Sequence, residues 1–364
     1  MSSSLGKMFR VTIFGESHGP CIGVVIDGCP AGLMIDEGGI REELRRRSPR
    51  EPEISTSRRE PDEVKILSGV FRGYTTGAPL CMLVRNEDVR SHHYHEVRYK
   101  PRPGHADYTA YVKYGGYNDY RGGGIFSGRI TVAMVMAGAI ARKILAHFGI
   151  KIIAHTIEIG GIKARRPSME LIEELASRSP VGCADLKASA EMVKVIKEAR
   201  RLGDSVGGVI EVIALNVPPG VGEPVFDTLE GDLAKAFFAI PGVKGVEFGA
   251  GFKAASMKGS EYNDQFIIRH GRIATKSNNA GGIQGGISNG MPITCRIAFR
   301  PPSSIRRPQR TVDLRTLKET VLRLQGRFDP CIVPRALPIV EAMMAIVLTD
   351  HMIRAGMIPR VIKE

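Results

Sequence analysis

Two short apolar runs open the chain, 9–14 and 22–27, parted by Gly15-Glu16-Ser17-His18-Gly19-Pro20. Runs of that length around a Gly/Pro-rich segment predict two strands and a turn. Helical spacing over 40–47 ends at Ser48-Pro49, where a proline stops a helix. The runs 64–71 and 80–84 predict a hairpin joined through residues 73–77. Residues 130–148 are apolar on most faces, which predicts a long buried helix. Further helices are predicted at 168–178, 188–201, 228–239, 314–324 and 338–355, and strands at 208–217, 244–257 and 292–299. In the last strand Ile293, Cys295, Ile297 and Phe299 alternate with Thr294, Arg296 and Ala298, the period of a half-buried strand.

The strands come as antiparallel-looking pairs and the helices in runs, without a sustained β-α-β rhythm. No linker divides the chain, and the Gly-rich segments 115–128 and 281–290 are short enough to be site loops. No repeat of 20–50 residues is visible. The expectation is an α+β fold in one large domain spanning 1–364. The longest apolar stretch, 130–141, is about half of what a membrane span needs. Residues 1–10 contain no signal-peptide core, so a soluble, cytoplasmic protein without a membrane partner is expected. The six cysteines (21, 29, 81, 183, 295 and 331) form no C-x-x-C pair and are expected as buried free thiols.

Charge changes the picture. Lys and Arg exceed Asp and Glu by 13, and 34 of the 51 cations are Arg. Arg in such excess points to bidentate recognition of phosphate or carboxylate. The anion is either a nucleic acid or a small, densely charged substrate. Residues 41–59 hold seven Arg but no Phe, Tyr or Trp, and nucleic-acid binding would need aromatic stacking among them.

Five constellations carry candidate chemistry. His18 sits in a tight turn straight after a strand, suited to proton transfer near neutral pH. The run Arg41 to Arg59 contains a Pro- and Ser-rich stretch that reads as a loop able to close over a ligand. On a helix Arg45, Arg46 and Arg47 fan over about 200°, so they cannot all serve one ligand. Arg102-Pro103-Gly104-His105-Ala106-Asp107 brackets a rigid turn with a fixed charge and a titratable one. Upstream, His92-His93-Tyr94-His95 reads as a solvated loop, since a zinc site needs a distant further ligand; no metal site is expected. Arg121-Gly122-Gly123-Gly124-Ile125-Phe126-Ser127-Gly128-Arg129 runs into the long helix, an anion site by geometry, but neither a Walker A nor a Rossmann motif. In the C-terminal third, residues 281–287, 300–304 and Arg327-Phe328-Asp329-Pro330 place Gly, Arg, Ser and Asp around something planar and phosphorylated. There Arg327 is expected to hold Asp329 ionised.

Taken in order, several of these segments resemble the chorismate synthase family. They are Gly15-Glu16-Ser17-His18-Gly19, Arg45-Arg46-Arg47, Arg58-Arg59-Glu60-Pro61-Asp62 and residues 64–70. Arg102 to Asp107, Tyr120-Arg121-Gly122-Gly123-Gly124, residues 243–247, 280–283 and Asp329-Pro330-Cys331 complete the set. The resemblance runs from about residue 6 to residue 355. It implies a shikimate-pathway lyase that converts 5-enolpyruvylshikimate 3-phosphate to chorismate and phosphate by 1,4-anti elimination. It also implies reduced FMN as cofactor, a helical core sandwiched between antiparallel sheets, and a homotetramer. Whether NADPH or an external flavin reductase supplies the reducing equivalents is left open. Carried over by motif, His18 protonates the departing phosphate, His105 the reduced flavin, and Asp329 serves removal of the substrate proton. Arg46, Arg50, Arg102, Arg129 and Arg327 match substrate-anion arginines. Flavin contacts fall on Ile125, Phe126, Ser127, Pro241, Gly242, Gly285, Arg300, Pro301, Pro302, Ser303, Ser304 and Arg327. The sequence departs from the family at Ile125 (usually Arg), Ile130 (often Glu), Arg300 (usually Lys) and Phe328 (commonly His).

Overall fold

The computed structural model describes residues 3–49 and 51–363. One five-stranded antiparallel sheet is built from β1 (Ser4–Leu5), β2 (Arg10–Gly15), β3 (Cys21–Asp27), β4 (Lys65–Ser68) and β5 (Leu80–Arg85), in the order β1-β2-β3-β5-β4. A second contains β6 (Lys151–Ile159), β7 (Ile162–Lys163), β8 (Gly208–Leu215), β9 (Val243–Phe248) and β10 (Ile293–Phe299), ordered β9-β10-β8-β6-β7. All neighbours in both sheets are antiparallel.

The principal helices are α1 (Glu37–Arg47), α2 (Asp107–Lys113), α3 (Thr131–His147), α4 (Ile172–Ser177), α5 (Leu186–Arg201), α6 (Leu229–Phe238) and α7 (Val333–Arg354). α3 packs on β2 and β3, α7 packs on β6 and β8, and α3 and α7 pack on each other. The fold is therefore α+β, a helical layer between two antiparallel sheets. At the α3–α7 crossing a Cβ on Gly138 would stand 2.5 Å from the Cα of Ala342, so glycine is what lets the two backbones approach.

Both central helices are apolar nearly all round, because each faces a sheet on one side and a helix on the other. By length and composition Gly128–His147 and Val333–Arg354 would each span a membrane, which corrects the expectation that no segment is long enough. They are 72% and 89% buried within the fold, as core helices are.

β10 keeps its predicted alternation, with Ile293, Cys295, Ile297 and Phe299 buried and the residues between them half-buried. Other expectations change. Residues 314–324 are not a helix: Gln309–Asp313 and Lys318–Leu322 form a hairpin turned at Leu317, whose φ is +54°. Leu322 is buried on the second strand, while Leu317 at the turn is 85% exposed. The strand β6 was not expected. The strand predicted over 244–257 stops at Phe248 and continues as a turn of 3-10 helix, Gly251–Ser256. Cys29, Cys183, Cys295 and Cys331 are buried free thiols, but Cys21 and Cys81 are only half-buried.

Candidate active site

α3 and α7 begin at the same cleft. Ser127, Arg129 and Thr131 border it at the start of α3, and Ile332, Arg335 and Ala336 at the start of α7. Unpaired N–H groups and the helix dipole make both helix starts favourable to anions. Side chains reinforce that sign. Seven arginines line the cleft (Arg47, Arg58, Arg102, Arg129, Arg300, Arg327 and Arg335) against three carboxylates, Glu60, Asp62 and Asp329. The floor between them is apolar, from Phe126, Ile240, Phe299, Ile332 and Ile339.

One wall is the turn before α2. Asp107, in the first turn of α2, receives the Nε and Nη2 groups of Arg102, each at 2.7 Å, and the Arg102 backbone N–H at 3.0 Å. Its Oδ1 also lies 2.7 Å from His105 Nδ1. Burial alone would raise the Asp107 carboxyl, but these hydrogen bonds outweigh it and hold it well below the usual carboxylate range. Arg102 is thereby fixed, with its Nη1 on Ser304 Oγ at 3.0 Å. With Nδ1 engaged, the Nε2 edge of His105 faces Gly123, where a Cβ would stand 3.3 Å away. Burial pushes the His105 imidazole below its ordinary pKa, the Arg102 and Arg300 charges add to that, and Asp107 opposes it.

The adjoining wall, which includes Gly122 and Tyr94, is backed by His18. Its Nδ1 lies 2.9 Å from Ser91 Oγ, and its ring meets Tyr94 edge-on at 5.2 Å between centroids. The Arg102 guanidinium reaches the same Tyr94 ring, 5.8 Å from its centre. His18 is 8% exposed, and burial followed by the Arg58 charge pushes it down to about 4, with Asp119 opposing. A bound anion would reverse that balance, since a negative charge beside an imidazole favours its protonated form.

Between the walls, Asp62 is buried and bridges two arginines: Arg47 Nη2 at 2.9 Å and Arg129 Nη1. Burial would raise the Asp62 carboxyl, but the two guanidinium groups bring it below its ordinary value. Arg129 Nε also donates to Asn86 Oδ1 at 3.0 Å. Arg47 Nε has no hydrogen-bond partner among the described residues. Asp329 accepts from the Thr56 backbone N–H at 2.8 Å and from Arg335 Nη1 at 2.5 Å. Thr56 Oγ1 donates to the Arg327 carbonyl at 2.8 Å, so the loop after α1 is tied down onto the segment before α7.

Most expected site residues converge here: Arg102, His105, Phe126, Ser127, Arg129, Pro241, Gly242, Arg300, Pro302, Ser303, Ser304, Arg327 and Asp329 border the cleft, with His18 immediately behind Gly122. Several do not. Arg46 points to a neighbouring cleft and pairs with Glu43 and Glu341, each at 2.7 Å; it is Arg47 that faces the site. Arg50 lies outside the described residues. Arg327 does not hold Asp329 but pairs with Asp88, at 2.5 and 2.9 Å; Arg335 holds Asp329 instead. Ile125 and Pro301 are exposed and do not border the cleft, and Gly285 is exposed in the turn between Ile283–Gln284 and Ile287–Ser288, away from it.

Sequence reasoning missed Asp62, Asp88, Tyr94 and Arg335. At 92–95, His92 and His95 are exposed as expected of a solvated segment, but the chain there forms a 3-10 turn, Ser91–Tyr94, that brings Tyr94 to the cleft. Among the described residues no group of three or more His, Cys, Asp or Glu side chains is arranged to hold a metal.

Comparison with known proteins agrees across the whole chain. The family described as chorismate synthase matches residues 9–353. A chorismate synthase of Dehalococcoides mccartyi is 56% identical over 364 residues, covering 100% of both chains. One from Pyrococcus abyssi is 56% identical over 348 residues, 96% of this chain and 97% of its own. A crystal structure of chorismate synthase superposes with a TM-score of 0.76 at 32% identity, covering 96% of this chain and 93% of the other.

Proposed function

The chain belongs to the chorismate synthase family, the carbon–oxygen lyases that form chorismate in the shikimate pathway, and from that premise we propose how its cleft performs the reaction. The substrate is 5-enolpyruvylshikimate 3-phosphate, and phosphate leaves by 1,4-anti elimination. The observation that carries this reading is that seven arginines line one cleft while, with Asp88 and Asp107 behind Arg327 and Arg102 counted, only five carboxylates pair with them, an excess of positive charge that a bound anion would offset. A substrate with one phosphate and two carboxylates meets that need. Arg47 and Arg129, tethered through Asp62, and Arg327 and Arg335 are the groups offered to those anions.

Reduced FMN fits the remaining donors. An apolar floor suits a flat ring system, and Arg300, Ser303, Ser304 and Ser127 at its rim suit a phosphate and polar ring edges. Pro241, Gly242 and Phe126 border the same space. Ile125 stands at the surface, so the charge that the family usually carries there is supplied in this chain by other cations, Arg300 foremost. When bound, the reduced flavin supplies the electron density that side chains cannot, with no net redox change.

The chain's own residues handle protons and charge. His18, held through Nδ1, presents Nε2 to the departing phosphate. His105, anchored by Asp107, presents Nε2 toward the flavin side. Asp329 is held by Arg335 and the Thr56 N–H and serves removal of the substrate proton. The proposal also takes the protein as one functional domain over 1–364, cytoplasmic and homotetrameric. The exposed Phe252, Phe266, Ile268 and Ile273 support a surface covered by other copies.

Anaerobic protein supplied with photoreduced FMN and 5-enolpyruvylshikimate 3-phosphate tests the proposal. Stoichiometric phosphate and chorismate are expected; no phosphate release with reduced flavin in excess would overturn it.

A further inference from the structure

The turn Ser91–Tyr94 has no part in the chemistry described so far, yet it makes two contacts to His18. Ser91 Oγ lies 2.9 Å from Nδ1, and the Tyr94 ring stands edge-on to the imidazole at 87°. Gly122 closes the third side. Its φ is +60°, and a Cβ there would lie 2.5 Å from His18 Cδ2 and 2.6 Å from Nε2, so only glycine fits between the Nε2 edge and the cleft that Gly122 borders. The ring is therefore fixed in plane by Tyr94 and at one nitrogen by Ser91, and its other nitrogen faces the cleft-lining Gly122.

We infer that Ser91 is a positioning residue for His18: its hydroxyl accepts from Nδ1–H and thereby commits Nε2 to the leaving phosphate. This rests on the reading of His18 as proton donor. To donate from Nε2, the ring must be protonated at both nitrogens, and afterwards it must remain neutral with its hydrogen on Nδ1. An acceptor at Nδ1 favours both of those states, and a hydroxyl oxygen there is that acceptor. The charges around the ring come from other elements: Arg58 and Glu60 on the loop after α1, and Asp119 and Arg121 on the loop before α3. They set how readily the ring is protonated, but none of them reaches Nδ1 in the way Ser91 does. Tyr94 adds a link between the walls, because the same ring lies beneath the Arg102 guanidinium at 5.8 Å.

The test combines turnover with a direct view of the tautomer. In protein labelled with 15N-histidine, with His18→Gln used for assignment, neutral His18 in the wild type should carry its hydrogen on Nδ1. Ser91→Ala should shift it toward Nε2–H and lower kcat about 10- to 100-fold, part of what a positioned general acid contributes. KM should stay within about twofold, because a positioning defect acts on the proton transfer rather than on anion binding. Ser91→Thr, which keeps the hydroxyl, should restore both the tautomer and most of kcat. An unchanged tautomer in Ser91→Ala, or a wild-type kcat in that variant, overturns the inference. If the tautomer shifts as expected but His18→Gln turns over normally, the positioning stands and the proton-donor role of His18 falls.

Discussion

Arg46 and Arg47 are consecutive on α1, yet they face two different clefts and have opposite electrostatic fates. Burial would lower Arg46, but Glu341 and Glu43 together raise it above the ordinary arginine range. Burial lowers Arg47 to about 10, with Arg335 and Arg129 adding to the effect and only Asp62 opposing them. The cleft on the Arg46 side is the roomier, about 510 Å³ against about 270 Å³. Its cations are nevertheless satisfied internally. Arg46 and Arg142 share Glu43 and Glu341 in a quartet with distances of 2.7 to 2.9 Å. The smaller cleft keeps an excess of positive charge. Size and arginine content therefore say little about where an anion goes; uncompensated charge does. Ser48 and Arg335 border both clefts, so the difference arises within a few ångströms and from which carboxylates happen to be near.

The largest effect should come from the surplus side. Asp329→Asn keeps the shape of the carboxylate and its contact with the Thr56 N–H but removes the base. Turnover should fall about 10²- to 10⁴-fold, with circular dichroism and the unfolding midpoint close to wild type. A variant retaining more than half of wild-type kcat would mean that Asp329 is only another structural partner for an arginine, as Glu341 is across the wall.

How much of this was readable in the chain follows from the range of the interactions. The alternation in β10 and the helical spacing of α1 with its stop at Ser48-Pro49 are local, so periodicity suffices to find them, although α1 starts earlier than expected, at Glu37, where Asp36 accepts from the Gly39 N–H at 2.8 Å. The motif residues His18, Arg102, His105 and Arg129 stood out because tight turns and glycines surround them. Which arginine of Arg45-Arg46-Arg47 faces the site did not, because neighbours on a helix point about 100° apart and the choice is made by Glu341, nearly 300 positions away in the chain. Asp62, Asp88, Tyr94 and Arg335 were invisible for the same reason: each matters through a partner brought near only by folding. Asp62 alone gave a usable hint, as the last residue of the Arg58-Arg59-Glu60-Pro61-Asp62 motif. The hairpin at 309–322 was misread in part as a helix, although Thr311, Val312, Thr320 and Val321, β-branched residues, favour strands.

The balanced side predicts a smaller effect of a different kind. Glu341 is 3% exposed and accepts from Arg46, Arg142 and the Ala154 N–H, the last at 2.9 Å. Glu341→Gln leaves two partly buried guanidinium groups sharing Glu43 alone. Breaking one partner of a buried pair costs about 3–5 kcal/mol, and the exposure of the two arginines places the expected loss at or below the lower end of that range. The midpoint of chemical unfolding should report it. KM and kcat of the folded variant should remain within about twofold of wild type. A large rise in KM with unchanged stability would show that the roomier cleft also binds substrate, and the contrast drawn here would collapse.

The smallest effect tests a pair that belongs to both descriptions. Arg327 lines the surplus cleft but is engaged by Asp88, which also accepts from the Arg59 backbone N–H at 3.0 Å. The hydrogen bond from Arg327 is the main reason that the Asp88 carboxyl lies at about 2, below its ordinary value. A depressed carboxylate contributes stability that is fully present above its unfolded pKa of about 3.9 and is lost as pH falls through its folded value. Asp88→Asn should therefore be less stable than wild type at pH 5 to 7, by about 1 kcal/mol or less for a pair this near the surface. The gap should narrow as pH falls from about 4 toward 2. The same substitution leaves Arg327 without its carboxylate, so inorganic phosphate should inhibit the variant at lower concentration than the wild type. If phosphate affinity is unchanged while the stability gap appears, Arg327 is a structural cation like Arg46. If affinity rises, Asp88 holds Arg327 in readiness for an arriving anion, and the boundary between balanced and surplus charge runs through this one ion pair.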